Sequence, residues 1–340
     1  MWAHRPNMRH LEALTTGFEV NIFEKKTGKK SWENLYRLPR VGLSIHYLNY
    51  GKPEITGSVI GVLPFAEFVI FESKKTELCL RTGSGLGYFT KKWNLQTNNL
   101  NNAIGSVING NMRIQALLHQ KIAKKYELNF GLGITHYSNG SYKLPNLGLN
   151  NVEALLGLGL FNQEHKMHKP DVKSIRNAFV PCNYWEAAFL LSTKQSALTY
   201  PHRIFPVGFQ AAIVRHHKPK SIIGIGLDFF IDKDNFVVEN LGVEIPKATF
   251  ASLFQTGIKV KHEMPFHNVS LITEMAYVLI SESKRKGNYY QRIGFRFLIN
   301  ENLYLQTTLK TIFVTADFFE FGLAYRFKKK KLKILTVPEF

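Results

Sequence analysis

A histidine and a serine stand two residues apart at the end of a strand-like segment, residues 126–138. Successive side chains of a strand point to opposite faces, so His136 and Ser138 share one face. An imidazole beside a hydroxyl can take its proton and turn the serine into a nucleophile. The spacing therefore predicts a Ser–His catalytic pair, and the alternative is two polar residues at an ordinary strand end. The same face carries the apolar residues of the segment, Leu128, Phe130, Leu132 and Ile134.

A catalytic histidine also needs a group that orients it. The next segment, residues 150–161, carries an apolar row at even positions from Val152 to Leu160, and Asn150 is in register with that row. Glu153 is the nearest carboxylate, but by parity it falls on the other face. Asn150 is therefore the better-placed orienting group, although an asparagine cannot stabilise an imidazolium by charge.

The elements that must position these residues are strands with apolar residues at alternate positions. Pro64 cannot donate to a sheet ladder, which predicts a break within the third of them. The pattern predicts an all-β fold, an antiparallel transmembrane β-barrel of about 14–16 strands. The first half contains strand-like segments at 17–24, 41–50, 57–71, 77–88, 112–121, 126–138 and 150–161. The second half contains them at 185–192, 205–215, 220–231, 249–262, 267–281, 289–299, 302–312 and 317–327.

Hydropathy and charge agree with a membrane barrel. No run of 18 apolar residues is present, and the mean hydropathy of −0.13 fits strands of which only alternate residues face lipid. The aromatic alternation from Phe319 to Phe327 is typical of the closing strand of an outer-membrane barrel. The net charge of +19 indicates attraction to anionic lipid phosphates, since no nucleic-acid-binding motif accompanies it. A soluble β-barrel with an apolar ligand is the alternative.

The order of segments predicts two barrel units. Residues 1–16 read as a polar leader without the apolar segment of a secretory signal, and residues 17–162 as the first unit. Residues 163–182 read as a linker. A second unit, 183–327, and a basic tail, 328–340, follow.

The second unit reads as a copy of the first that has lost its catalytic motif. The sequence RIFPVGF at 203–209 echoes RLPRVGL at 37–43, which suggests an internal duplication of an eight-strand unit. Lys310-Thr311-Ile312 stands where the first unit has its His-x-Ser sequence. The two halves form either one wide barrel or two tandem small ones, with a slight preference for one, because only the end of the chain carries the closing-strand pattern.

The sequences HYSN at 136–139 and PNLG at 145–148 resemble the signature of the lipid A 3-O-deacylase (acyloxyacyl hydrolase-like) family. Members of that family are small outer-membrane β-barrels that remove an ester-linked acyl chain from lipid A. The resemblance is specific over residues 125–160 and looser back to residue 17. It implies a bacterial outer-membrane location and a serine esterase that needs no metal or cofactor.

The resemblance also assigns roles to individual residues. It makes His136 the general base and Ser138 the nucleophile. Asn139 and Asn146 match asparagines of the motif, and Asn146 is the expected oxyanion donor. The founding members carry a glutamate where this chain has Asn150.

Several residues have other expected roles. Lys143 is expected to contact substrate phosphates, with a solvated loop lysine as the alternative. Cys79 and Cys182 lack metal-type spacing and are expected to be buried thiols rather than a disulfide. His165 and His168 have no suitably spaced partner for a metal site.

The expected partners are the membrane and lipid A or another acyl-ester lipid, and no nucleic acid. The alternative function is a catalytically decayed outer-membrane barrel that acts as a pore or a structural protein. The replacement of the family glutamate by Asn150 is the best support for that alternative.

Overall fold

The computed structural model describes residues 1–2, 5–161, 171–200, 202–239, 249–281, 287–313 and 315–328. The chain forms two compact units, Met1–Asn177 and Ala178–Phe340. The division falls inside the expected linker 163–182. Residues 163–170 of that linker, with His165 and His168, lie outside the described residues, as do residues 329–340 of the expected tail.

The first unit is a seven-stranded antiparallel sheet in which each strand pairs with its neighbours along the chain. Its strands are β1 (Thr16–Lys25), β2 (Arg40–Asn49), β3 (Ser58–Glu72), β4 (Thr76–Phe89), β5 (Ile108–Lys121), β6 (Tyr126–Ser138) and β7 (Leu149–Leu160). A 3-10 helix (Pro6–Leu11) precedes them, α1 (Ser31–Leu35) joins β1 to β2, and α2 (Val172–Ala178) follows β7. None of the described helices is long and apolar enough to cross a membrane.

Pro64 does not divide β3, contrary to the expected break. On one side Pro64 pairs with Leu43 of β2. On the other side, the ladder with β4 steps from Val62 to Phe65 without pairing the residues between them. The missing N–H of the proline therefore falls in a local gap of the ladder, and the strand continues.

In the first sheet the apolar side chains lie outside and the charged side chains inside, which is the reverse of a soluble protein. Apolar side chains point outward along the strands, where Val152 is 69% and Leu156 74% exposed. Charged side chains point inward, where Arg40 pairs with Glu127 at 2.6 Å and with Glu77 at 2.7 Å. An apolar outer wall around a polar interior is the pattern of a barrel whose solvent is the bilayer.

Residues 1–16 are not merely a leader. The side chains of Met8 and Leu11, in the 3-10 helix, are fully buried in an apolar cluster with Tyr137. This cluster lies against the strand ends that carry the candidate site. The apolar residues were overlooked because the segment as a whole is polar.

The second unit is a closed eight-stranded barrel. Its wall comprises β8 (Cys182–Ser192), β11 (Val207–Lys218), β12 (Ser221–Ile231), β13 (Phe254–Phe266), β14 (Val269–Ile280), β15 (Tyr289–Leu298), β16 (Leu303–Ile312) and β17 (Thr315–Lys328). Two short strands, β9 (Lys194–Gln195) and β10 (Arg203–Ile204), pair in the connection after β8, and α3 (Asp234–Glu239) and α4 (Phe250–Leu253) lie between β12 and β13. The preference for one wide barrel was wrong, because the second unit closes on itself.

The closing strand was predicted correctly. β17 pairs with β16 on one side and with β8 on the other, which completes the barrel. The aromatic residues of the predicted alternation point outward, with Phe321 57% and Phe327 51% exposed. Inside, Arg292 pairs with Asp228 and Glu320, and Arg326 pairs with Glu263. The all-β antiparallel barrel prediction is confirmed, and the charged interior excludes a soluble barrel built around an apolar ligand.

Both cysteines are free thiols. Cys79 is buried as expected. Cys182 is only partly buried, and its sulfur lies 2.7 Å from the hydroxyl of Tyr184.

Candidate active site

His136 and Ser138 lie on the outward face at the end of β6. The residues before them on that face, Leu132 and Ile134, are exposed, and the intervening Thr135 and Tyr137 are buried inside the sheet. More exposed and more buried side chains therefore alternate from Phe130 to Tyr137. A histidine and a serine continue an apolar wall at the point where β6 enters its loop.

Asn150 is the register partner of His136 across the β6–β7 ladder. Its side-chain oxygen lies 2.6 Å from Nδ1 of His136. An amide oxygen only accepts, so Nδ1 carries the proton and Nε2 keeps its lone pair. This is the tautomer that a general base requires.

Glu153 lies on the opposite face of β7. Its carboxylate accepts hydrogen bonds from Gln115 at 3.0 Å and Thr135 at 2.9 Å, and Arg113 approaches it at 3.4 Å. These partners belong to the charged interior of the sheet. The sheet therefore separates Glu153 from the imidazole of His136.

Ser138 is 5% exposed at the last position of β6. Within the described part of the chain no hydrogen bond joins its hydroxyl to His136. Catalytic hydrogen bonds are often long without substrate and shorten when it binds.

The β6–β7 loop, residues 139–148, is held by its two motif asparagines. Asn139 donates from Nδ2 to Ser106 Oγ at 2.9 Å and to the Lys143 carbonyl at 2.8 Å. The side-chain oxygen of Asn146 accepts from the backbone N–H of Asn139 at 2.9 Å. The side-chain oxygen of Asn146 is thus occupied, and its Nδ2 is the group with protons to donate.

The long β4–β5 connection supports this loop from behind. The carbonyl of Asn102 accepts from Leu147 N at 3.3 Å, and the carbonyl of Ala103 accepts from Gly148 N at 3.0 Å. Ser106 in the same connection holds Asn139. Sequence reasoning missed these three residues because nothing local to the motif indicates which distant loop folds against it.

Gly148 is the closest neighbour of the imidazole edge. A Cβ at this position would lie 2.7 Å from Cε1 and 3.3 Å from Nε2 of His136. Its φ of +77° is also a conformation that favours glycine. The glycine of the motif therefore leaves room for the base.

Lys143 lies in the β6–β7 loop and is partly exposed. Its backbone is fixed by Asn139, through the carbonyl and through an N–H that donates to Oδ1 at 3.3 Å. Among the described carboxylates none pairs with its ammonium. The backbone of Lys143 is thus anchored in the loop that follows Ser138.

One group of interior residues has metal-ligating atoms close together. The donor atoms of Glu67, Cys79 and His119 lie within 4.8 Å of one another. Arg81 pairs with Glu67 at 2.9 Å, and Arg40 approaches it at 3.4 Å. Two guanidinium groups beside the carboxylate make this a poor site for a cation, and it lies on the face opposite to Ser138.

Comparisons with known proteins identify both halves of the chain. A family described as lipid A 3-O-deacylase matches residues 16–159. A family described as the acyloxyacyl hydrolase C-terminal domain matches residues 183–329. No curated protein matches the chain.

Two solved structures align with most of the chain but superpose poorly. An outer-membrane channel from Pseudomonas putida F1 is 11% identical, with 94% of this chain and 98% of that chain covered and a TM-score of 0.20. A porin is 7% identical, with 91% and 92% covered and a TM-score of 0.18.

The two family matches follow the two structural units and extend over nearly all of the wall strands. The chain therefore belongs to the lipid A 3-O-deacylase (acyloxyacyl hydrolase) family, a family of ester hydrolases of the bacterial outer membrane.

Proposed function

We propose that this chain removes an ester-linked acyl chain from lipid A with Ser138 as nucleophile and His136 as general base. Asn150 orients His136, and Asn146 donates to the oxyanion. The hydrogen bond of 2.6 Å between Asn150 and His136 on the outward wall carries this proposal. It fixes the tautomer that accepts a proton at Nε2.

The reaction proceeds in two halves. His136 Nε2 takes the Ser138 proton as Oγ attacks the ester carbonyl carbon, and the oxyanion accepts from Asn146 Nδ2. The C–O bond to the sugar breaks, and His136 returns the proton to the leaving alkoxide. A water then loses its proton to His136, attacks the acyl-enzyme, and releases the fatty acid and Ser138.

The position of the site suits a substrate that stays in the membrane. His136 and Ser138 continue the apolar outer wall, so an acyl ester can approach sideways from the bilayer. The end of the first unit that carries the site has the connections 50–57, 90–107 and 139–148, whereas the other end has 26–39, 73–75 and 122–125, which are shorter on average. Longer loops face the outside of the cell in outer-membrane barrels, and lipid A lies in that leaflet.

Lys143 supports the choice of a phosphorylated lipid. Its ammonium lies in the loop next to Ser138, where it can pair with a phosphate on the disaccharide. An ammonium acts as a point charge in phosphate recognition. This contact would hold the sugar at the rim while the acyl chain remains in the apolar region.

The test is expression in the outer membrane of a Gram-negative host, followed by mass spectrometry of its lipid A. The wild-type chain is expected to remove one hydroxyacyl group, and Ser138→Ala is expected to abolish that loss. Ser84→Ala is the matched control. Ser84 lies on the same outward face and is separated from His136 by one strand, since it pairs with Met112, the register partner of His136.

Two outcomes would contradict the proposal. Unchanged lipid A with a folded wild-type barrel would favour a decayed, structural barrel. Equal activity of Ser138→Ala and wild type would leave lipid A as the substrate but exclude Ser138 as the nucleophile.

A further inference from the structure

A second Ser–His pair is present in the second unit, where the sequence predicted no catalytic group. The hydroxyl of Ser221, the first residue of β12, lies 2.8 Å from Nε2 of His262 on β13. Both side chains are partly exposed. In this unit the serine hydroxyl and the imidazole are already within hydrogen-bond distance of each other.

The pair lies on the outward wall of the barrel. Ser221 is in phase with Ile223 and Ile225 of β12, which are 46% and 53% exposed. His262 is in phase with Val260 of β13, which is 55% exposed, and it is the register partner of Ile223. Lipid tails that contact this wall therefore reach the Ser–His pair.

The surroundings of the pair are basic. Arg215 of β11 is exposed, points outward and is the register partner of Ile223, diagonally across from Ser221. Lys218, the last residue of β11, is exposed and is the register partner of Ser221. None of the described carboxylates pairs with either side chain. A serine, a histidine and two uncompensated cations thus meet at the edge of an apolar wall.

We infer that Ser221 and His262 form a second esterase site, which cleaves an acyl ester of an anionic lipid. Ser221 Oγ attacks the ester carbonyl carbon while His262 Nε2 takes its proton. Arg215 and Lys218 pair with the lipid phosphate. His262 returns the proton to the leaving glycerol or sugar oxygen, and water then hydrolyses the acyl-enzyme.

The position in the barrel favours a glycerophospholipid over lipid A. Ser221 lies at the end where strands are joined by the turns 219–220, 267–268 and 299–302. The other end carries the connections 193–206, 232–253 and 281–288. In outer-membrane barrels the short turns face the periplasm, where the leaflet consists of glycerophospholipids.

His262 lacks a third residue that would orient it. Thr273, its register partner on β14, donates to the backbone carbonyl of His262 at 3.4 Å and not to the ring. Among the described residues none accepts from Nδ1. Ser221 is therefore expected to react more slowly than a serine in a complete triad.

The first test is labelling of the full-length, detergent-solubilised protein with a fluorophosphonate, read by peptide mass spectrometry. We expect label on Ser221, at a rate reduced at least tenfold in His262→Gln. His217→Gln, a change to another histidine at the same barrel end, is expected to label at the wild-type rate. Label on Ser138 is read from a different peptide, so failure at one serine is independent of the result at the other.

The second test uses Ser138→Ala in mixed micelles that contain phosphatidylglycerol in one arm and purified lipid A in the other. We expect fatty acid release from phosphatidylglycerol, and its loss in the double variant Ser138→Ala/Ser221→Ala. Release from lipid A alone would identify lipid A as the source of the ester. An unlabelled Ser221 in a folded barrel, or no release in either arm, would overturn the inference.

Discussion

At the scale of single residues, the proposed site has an oriented histidine without a carboxylate beside it. Asn150 fixes the proton on Nδ1 of His136 through a hydrogen bond of 2.6 Å, but it cannot stabilise the imidazolium that forms as Ser138 is deprotonated. A carboxylate at this position would supply that stabilisation. The first two predictions concern this pair and the glycine beside it.

Asn150→Asp is expected to raise kcat and to move the acidic limb of the pH–rate profile to higher pH. The reason is that an adjacent negative charge favours protonated histidine, so the base is lost at a less acidic pH. Asn150→Leu, which removes the acceptor, is expected to lower kcat by about 100-fold or more, by analogy with loss of the orienting group in a triad. Both are measured by deacylation of lipid A in micelles across pH 5–9.

Glu153→Gln is the control for this series. Its carboxylate faces the sheet interior, so the pH–rate profile should match that of the wild type. If Glu153→Gln rather than Asn150→Leu moved the acidic limb, Glu153 would be the orienting group.

Gly148→Ala is expected to reduce kcat at least tenfold, because its Cβ would lie 2.7 Å from Cε1 of His136 and displace the ring. Gly157→Ala on β7 is the matched control, since the nearest atom to its Cβ is 3.8 Å away. Initial rates of deacylation by the two variants, each checked for folding by circular dichroism, give the comparison. Normal activity of Gly148→Ala would show that the ring can move without loss of function.

Strand parity was sufficient to predict the placement of His136, Ser138 and Asn150. An alternating face is a local property of the chain. Ser106 and Ala103 could not be predicted in the same way, because their contacts with the β6–β7 loop depend on how the long β4–β5 connection folds back. Ser221 and His262 also escaped detection, since 41 residues separate them and only the β12–β13 register brings them together.

At the scale of elements, each wall strand is stabilised by lipid on one side and by ion pairs on the other. Leu156→Arg, near the middle of β7, is therefore expected to destabilise the inserted fold by about 2–4 kcal/mol. Val152→Arg, two residues from Asn150 and closer to the rim, should cost only about 0–1 kcal/mol. Guanidinium titration of protein folded into lipid vesicles measures both values. Equal costs at the two positions would contradict a depth-dependent lipid environment for β7.

Strand positions were largely predictable, and their exceptions have physical causes. β6 was predicted at its observed bounds because its alternation is regular and its ends are polar. The break at Pro64 was wrong because a gap in the β3–β4 ladder accommodates the proline. The strand expected from residue 249 begins at Phe254, since Thr249 caps the one-turn helix α4 through its hydroxyl.

At the scale of the whole molecule, one buried cation links the connection after β8, the β12–β13 connection and β17 of the second barrel. Lys194 on β9 lies 3.2 Å from Asp232, 3.0 Å from Asp234 and 2.9 Å from Asp317. Burial by itself would lower the pKa of Lys194, but the carboxylates, Asp232 foremost, hold that pKa well above its usual value. Its positive charge offsets part of the repulsion among three acids, two of them in the β12–β13 connection and one on β17.

Lys194→Met is accordingly expected to destabilise the second unit by about 3–5 kcal/mol, because it removes a cation that pairs with three buried carboxylates. Lys233→Met, an exposed lysine of the same cluster of loops, should have little effect. The fluorescence of Trp185, the one tryptophan of residues 178–340, reports unfolding of this unit once Trp2, Trp32 and Trp93 are replaced by phenylalanine. An unchanged denaturation midpoint for Lys194→Met would show that the ion pairs of Lys194 do not stabilise the second unit.

The number of barrels could not be deduced from the chain. A wide barrel and two smaller units have the same alternation, and they differ only in whether the last strand pairs with the first strand of the chain or with β8. That choice depends on contacts between residues 130 or more positions apart, such as Arg326 and Glu186, joined at 3.0 Å. Local periodicity contains no information on such pairs.

The outward placement of Ser138 has a kinetic consequence. If an enzyme receives its substrate through a wall embedded in the bilayer, its rate depends on the surface concentration of that substrate in the membrane. Its velocity should follow the mole fraction of lipid A in the surface, and dilution of that surface with an inert amphiphile should slow the reaction even when the bulk amount of lipid A is unchanged. The supply of substrate is then set by lateral diffusion and by the crowding of neighbouring lipids, so the composition of the membrane itself regulates the enzyme.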